Sequence, residues 1–512
     1  MSISRIEYIK ELINSLDKSE KRALKVYSNR IQREKDKMFV QLYNVIEKKP
    51  LESEEYYRTK LNLSTYQYIN LKRHLYTQIL RSLRLVNIQR SPTIKLREEI
   101  DHASLLYDKG LHNQCLQYLS KLKSIAKNNG RNIAHLDIIE LHKKIESRHI
   151  TRSRGVVDKM ENLIQESSDL NNEISQAHTL SNLSLKMQGL YIKVGHVKNT
   201  KDRVFYKIYF ESLGISEIAT RQNTQLRALW HECNIWYNHA QLKPHYSYRH
   251  AIEWAQCYQN NIQLLDNDPI SYLRSLHYVM VQCYYLDRAD KHTFYFNQYK
   301  KYRDKHIDSY TKAISLIDYI YYNLALLNQM LLSNKYATLN SVITDIEKGY
   351  TIHKHSVDIH RRLTMYYKLA MIYSYNGKYN LAIDYTNQII NHTEVSLKKD
   401  LVTYSRLLHI ICHFHLGNYI LVENLVDSIR AEFTLADQLN KVVETVLSFL
   451  KRASKMMHFG MDDDTEKLKK KLVEYKQDEY EKIAFLYYNY ISWCDSLLQG
   501  IPITKIIKAT TT

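Results

Sequence analysis

The densest group of metal-ligand side chains in the sequence is the run HIICHFH, with His409, Cys412, His413 and His415. Helix residues four apart share a face. His409 and His413, with Cys412 beside them, therefore match the nitrogen and sulfur donors that zinc takes. A chain with 23 histidines is expected to hold such a cluster somewhere, and packing against a neighbouring helix accounts for it, so no metal is expected. His353, His355 and His360 form a looser group read the same way. Nucleotide and hydrolase signatures are absent: there is no GxxxxGK[ST], GxGxxG, GxSxG or HExxH, and His231-Glu232-Cys233 lacks a second histidine four positions after His231. Loops that cradle phosphate need glycines for close backbone approach, which 11 scattered glycines do not supply. The sequence predicts no enzyme and no cofactor.

A second constellation lies between residues 52 and 86. Tyr68, Leu71, Leu75, Ile79, Leu83 and Val86 recur at helical spacing and trace an inward stripe. Gln67, Asn70, Arg73, His74, Gln78, Arg81 and Arg84 are left to face outward. A short helix and a turn at Asn62-Leu63-Ser64 precede this helix, with Ser64 or Thr65 as its cap. The arrangement is that of a helix-turn-helix, in which Asn70, Arg73, Gln78, Arg81 and Arg84 would reach base edges or backbone while Arg58 and Lys60 sit near phosphates.

The elements that must position these residues are helical. Glycine and proline together number only 16 of 512 residues, against about 12% in average usage, leaving little room for all-β or glycine-loop folds. Hydrophobic residues at 44% and charged residues at 25% suffice for a packed core. Residues 366–390, YYKLAMIYSYNGKYNLAIDYTNQII, read as helix, tight turn, helix. Leu369, Ala370 and Tyr373 fall on one face, Asn376-Gly377-Lys378 turns, and Tyr379, Ala382 and Tyr385 or Ile389 face back. The spacing resembles the tetratricopeptide (TPR) repeat, with Ala370, Gly377, Tyr379 and Ala382 in the roles of small residue, turn glycine, following aromatic and second small residue. The pattern returns at 408–425 around Gly417-Asn418-Tyr419 and at 105–119 around Gly110, with Cys115 at the small position.

Turn candidates at 110, 155, 195, 244, 289, 334, 377, 417 and 460 are spaced by 40 to 49 residues. That exceeds the 34 residues of a standard TPR, so each unit should be a pair of longer helices. The resemblance implies an all-α fold: a right-handed α-solenoid of about eight or nine TPR-like antiparallel helix pairs over residues 93–500, whose concave surface binds proteins. Tyrosine, at 43 residues, is the compositional anomaly. The runs Tyr319-Tyr321-Tyr322, Tyr366-Tyr367 with Tyr373-Tyr375, and Tyr487-Tyr488-Tyr490 should fill the space between helix layers. A groove lined by Tyr, His, Asn and Lys would suit an extended or helical peptide.

Residues 1–92 fall outside this period. They read as a small basic helical domain with a first stripe at Ile6, Ile9, Leu12, Ile13 and Leu16, closed by Arg90-Ser91-Pro92. This segment concentrates charge, since residues 1–100 supply +9 of the net +19. Residues 461–482 place Asp462 to Asp464 ahead of lysines, an order that complements the helix dipole and predicts a solvated terminal helix. Residues 501–512 are expected to form a frayed tail. Six cysteines without a CxxC pair, and no run of 18 apolar residues, point to a reducing cytoplasm and no membrane span. Two functions remain open: a non-enzymatic scaffold or adaptor binding a peptide or protein with an acidic or carboxylate-terminal feature, and a DNA- or RNA-binding regulator acting through the N-terminal helix-turn-helix.

Overall fold

In the computed structural model, described over residues 5–30, 34–148, 159–212, 223–353, 356–392, 399–435, 440–456 and 461–511, the chain is all-helical, with no strand among those residues. It divides into two compact units, residues 1–171 and 172–512, and the division falls within one long helix.

The first unit opens with α1 (Ile6–Ser15), α2 (Lys18–Arg30), α3 (Glu34–Lys48), α4 (Glu54–Lys60) and α5 (Thr65–Asn87). Asp17 caps α2: its Oδ1 accepts from the Glu20 amide at 2.8 Å, while Glu20 returns a carboxylate oxygen to the Asp17 amide at 2.9 Å. The bond from the Glu20 amide, with one from the Ser19 hydroxyl, holds the Asp17 carboxyl below its usual range. Ile6, Ile9, Ile13 and Leu16 join Phe39, Leu42, Tyr57, Leu75 and Ile79 in one hydrophobic core. A separate core belongs to α6 (Pro92–Asp108), α7 (His112–Asn128) and α8 (Asn132–Arg148). The break expected at Arg90-Ser91-Pro92 thus lies between two cores inside the first unit, where Ser91 caps α6 and Pro92 occupies its first turn.

Helix α9 (Lys159–Val194) leads into the second unit, which continues with α10 (Thr200–Glu211), α11 (Thr224–Ala240), α12 (Pro244–Gln259), α13 (Ile262–Asn267), α14 (Pro269–Tyr285) and α15 (Ala289–His306). Then follow α16 (Lys312–Ser333), α17 (Leu339–His353), α18 (Ile359–Tyr375), α19 (Tyr379–Ile390), α20 (Lys399–His415), α21 (Tyr419–Leu435) and α22 (Lys441–Met456). The last elements are α23 (Met461–Gln477), α24 (Ala484–Tyr487), α25 (Tyr490–Gln499) and α26 (Ile503–Thr511). Neighbours in sequence pack together (α11 with α12, α14 with α15, α18 with α19, α20 with α21), and α14, α16, α18, α20 and α22 each pack against the next in that series.

One backbone device closes the pairs. At Gly110, Gly130, Leu242, Asp287, Gly377 and Gly417 the chain enters the left-handed region. The following amide then bonds the carbonyl five residues back, as in Lys378 to Tyr373 at 2.9 Å and Arg288 to Cys283 at 2.9 Å. This is the Schellman arrangement, which satisfies orphan carbonyls of the first helix. In each case the next helix starts two residues after the left-handed residue. The turns expected at 244 and 289 are therefore centred two residues earlier, and Gly195 and Asn334 also hold positive φ. Positions 155 and 460 lie outside the described residues.

Ala370 and Ala382, the small residues expected to let two helices approach, are both fully buried between α18 and α19. The tyrosine runs pack the core as expected: Tyr321, Tyr367, Tyr375, Tyr488 and Tyr490 are buried. Two expectations for the C-terminal region are corrected. Helix α23 is not a terminal solvated cap, because it buries Met461, Thr465, Leu468 and Leu472 and is followed by packed helices. Residues 503–511 are a helix with Ile503 and Ile506 buried, a hydrophobic face that holds down a terminal segment expected to fray.

Candidate functional site

The junction between α4 and α5, expected to be a helix-turn-helix, is tight. Asn62 ends α4 in the left-handed conformation at φ 50°, a conformation Asn tolerates. Ser64 then starts α5 with a capping box: its Oγ accepts from the Gln67 amide at 3.3 Å, and Gln67 accepts from the Ser64 amide at 3.0 Å. Asn70, Arg73, Arg81 and Arg84 stand on the exposed face of α5 with Tyr66 and Thr77, and Lys60 is exposed at the end of α4. Arg58 is turned inward to the junction, donating to Thr65 Oγ1 at 2.8 Å and pairing with Glu55 at 3.4 Å. Arg84 pairs with Asp101 at 3.4 Å.

Gln78 is a correction. It is buried at 3% exposure and accepts a hydrogen bond from the Tyr27 hydroxyl at 2.8 Å. Helix α5 packs against α1, α2 and α3, so its inward face is wider than its apolar stripe and takes in Lys72, Gln78 and Ser82 as well. Lys72 is satisfied there by an ion pair with Glu54.

The histidine cluster on α20 is dispersed among separate partners. His409 meets Thr386 Oγ1 at 2.9 Å and His413 at 3.2 Å, His413 meets Asn418 at 3.0 Å, and His415 accepts from the Trp493 indole at 2.8 Å. Cys412 is buried, and burial pushes its thiol up to about 12. Among the described residues no group of three or more His, Cys, Asp or Glu is placed to hold a metal ion. His355, of the second histidine group, lies outside the described residues.

The second unit contains two adjoining cavities of about 740 and 920 Å³ whose walls share His196, His239, Tyr284, Tyr285, Met371 and Leu486. Each falls in the size range of ligand sites. Helix α14 turns Arg274, His277, Tyr278, Val281, Tyr284 and Tyr285 toward the larger one, a stripe at i, i+3, i+4, i+7, i+10 and i+11. Its other face, with Leu273, Leu276, Val279, Met280 and Cys283, enters the main core. Helix α11 contributes Leu229, Glu232, Trp236 and His239 at the same rhythm, and α18 contributes Arg361, Thr364, Lys368 and Met371.

The two cavities differ in charge. In the larger, Arg274 pairs with Glu232 at 2.7 Å and Arg361 with Asp358 at 3.0 Å, while Lys368 stands 4.0 Å from the centre of the Tyr284 ring. His277 stacks on Tyr321 with ring centres 4.1 Å apart. Burial, then the charges of Arg361, Arg274 and Lys368, hold its imidazole well below the usual range, so it is neutral. The smaller cavity is lined by Lys243, Arg288, Lys476 and Lys482 with Asp287 as its carboxylate. Burial, and the charges of Arg203 and Lys243, push the Lys482 ammonium down. His245, Tyr246, Asp287, Arg288 and Lys476 are exposed around this cavity and connect it to solvent.

Polar side chains in both walls lack partners. Gln282 lines the smaller cavity fully buried with both amide atoms unpaired. His277 Nδ1 and Asn328 Oδ1, in the wall of the larger, are likewise unpaired at 7% and 2% exposure. Sequence reasoning anticipated a groove of Tyr, His, Asn and Lys and named Tyr321, Tyr367, Tyr375 and Tyr487 as core filler, but it missed Arg274, His277, Tyr278, Gln282 and Asn328; the second stripe on α14 was the signal that would have found Arg274, His277 and Tyr278. The chain matches no protein-family model, no curated protein and no solved structure.

Proposed function

We propose that the chain is a non-enzymatic interaction scaffold or adaptor of the cytoplasm, a TPR-like α-solenoid that holds a peptide segment of a partner protein in the cleft of residues 172–512. The observation that carries this reading is the paired cavity walled by one face of α11, α14 and α18, each of which commits its other face to the core. The recurrent left-handed turn and the packing of α14, α16, α18, α20 and α22 in series support a solenoid. Six buried free thiols suit a reducing compartment. Among the described residues no helix is long and apolar enough to cross a membrane.

The test is affinity purification of the tagged full-length protein at moderate salt, split into nuclease-treated and untreated halves. A stoichiometric protein partner that survives nuclease is the expected result. Loss of every protein partner on nuclease treatment refutes the scaffold.

A second reading has its own observation: Asn70, Arg73 and Arg81 stand exposed on one face of a helix that follows a tight turn. The first unit would then bind DNA or RNA, with the repeats serving as its regulatory arm. Replacing Arg73 and Arg81 together by alanine would lower duplex affinity and flatten its salt dependence by about two phosphate contacts. An unchanged slope refutes it.

A further inference from the structure

From the charge and wall chemistry of the adjoining cavities we infer that the segment bound by residues 172–512 is acidic and extended, with its carboxylates in the Lys243–Arg288–Lys476–Lys482 cavity and its next residues in the aromatic one. The inference rests on the peptide-binding reading and assigns that site its ligand chemistry.

Charge complementarity selects the acidic segment. The walls of the smaller cavity bring three lysines and an arginine together against a single carboxylate, that of Asp287, while Glu479, outside the lining, acts on Lys482 and Lys243 but is itself paired with Arg203 at 2.6 Å. Like charges gathered in a half-buried recess repel one another, and an incoming carboxylate relieves that repulsion. In the larger cavity the carboxylates Glu232 and Asp358 are already committed to Arg274 and Arg361, so its walls act mainly through aromatic surface.

The uncharged polar groups favour a polypeptide over a nucleotide or a lipid. Gln282 offers an unpaired amide donor and an unpaired amide acceptor in the basic wall, and Asn328 and His277 add unpaired atoms in the aromatic one. A buried amide left unpaired is costly. A peptide backbone, which alternates donors and acceptors, is its chemical complement. The volumes of about 740 and 920 Å³, joined along six shared residues, hold several consecutive residues of an extended chain.

The experiment is selection of a phage-displayed random dodecapeptide library on full-length protein, on Lys243→Glu/Lys482→Glu and on Gln282→Leu. Circular dichroism confirms folding, and Lys243→Ala/Lys482→Ala replaces the charge reversal should that variant not fold. Wild type is expected to enrich Asp- and Glu-rich sequences. The reversal should lose that bias and bind the enriched peptides at least about ten-fold more weakly, while Gln282→Leu should weaken acidic and neutral peptides alike. Enrichment without acidic bias, or a bias that survives the reversal, overturns this inference and leaves the peptide-binding reading standing. No enrichment over bare support overturns both. Binding of a 20-nucleotide single strand that the reversal abolishes, with no peptide selected, moves the site to nucleic acid and overturns the inference.

Discussion

Gly349 sits where α17 meets α16, and replacing it with alanine should loosen that contact measurably. An ideal Cβ at this position would lie 2.9 Å from Cζ of Tyr319 and closer still to Cδ2 and Cε2 of the same ring. The ring has little freedom to retreat, since its hydroxyl donates to the Ile346 carbonyl at 2.7 Å and its face stacks on His353. Overpacking of this kind costs about 1–3 kcal/mol. Losing the Tyr319 hydrogen bond would add about 1 kcal/mol, and the better helix propensity of alanine returns about 1 kcal/mol. The net expectation for Gly349→Ala is destabilisation by about 1–3 kcal/mol, concentrated in α17. Hydrogen exchange by mass spectrometry on residues 339–353 reads that opening locally, and exchange should quicken by about 5- to 160-fold. In a Tyr319→Leu background the clash is gone, and Gly349→Ala should become neutral or slow exchange. Equal effects in the two backgrounds, or slower exchange in the single variant, would refute the packing argument.

Three further outcomes follow from named contacts. Ser64→Ala removes one half of the capping box on α5 and should cost about 0.5–2 kcal/mol, seen as faster exchange of the amides of residues 65–67; unchanged exchange would show that the cap contributes nothing. Asp287→Asn keeps a residue type that tolerates the left-handed turn and deletes the carboxylate lining the basic cavity, so acidic peptides selected on wild type should bind about two- to five-fold tighter by fluorescence anisotropy, and weaker binding would contradict the charge assignment. Buried His292 and His231 are held down to about 4 and about 3, chiefly by burial. Their unfolded forms take protons below about pH 6.5 while the folded forms do not, so stability is full above that value and falls as pH drops toward 4, by up to about 1.4 kcal/mol per group per pH unit; a urea midpoint equal at pH 7.5 and 5.5 would exclude this linkage.

Much of the helix pairing was legible because its markers are residues that only one conformation favours. Gly377 and Gly417 read as turns, since glycine is the default occupant of the left-handed region, and Ala370 and Ala382 read as close-approach positions. Ser64 or Thr65 read as a helix cap, and the structure settles on Ser64. The turns at Leu242 and Asp287 were displaced in the reading because the same backbone conformation is held there by residues that do not advertise it. Hydrogen bonds from Lys243 to Asn238 and from Arg288 to Cys283 stabilise these turns regardless of residue type. Gln78 was misassigned for a different reason. Periodicity counts apolar residues, whereas α5 buries a face against three helices and satisfies its polar members individually, as Tyr27 does for Gln78.

The cleft was the least legible part, and the cause is geometric. A helix with one buried stripe reads clearly, because polar residues occupy the rest of its circumference. Helix α14 has two buried stripes, one in the core and one along the cavities, so its sequence, PISYLRSLHYVMVQCYY, looks apolar and aromatic all round. Several cavity residues are also distant in sequence from their partners: Glu232 and Arg274 meet across 42 residues, and the Tyr367 hydroxyl donates to the Tyr487 carbonyl across 120. The backbone bonds that close each helix pair do not use the side chains facing the cleft. Arg274, His277, Tyr278 and Tyr284 line the cleft and pack on their neighbours, but none supplies a side-chain bond to the turns at Leu242 and Asp287, so the residues that set the turns differ from those that line the cleft.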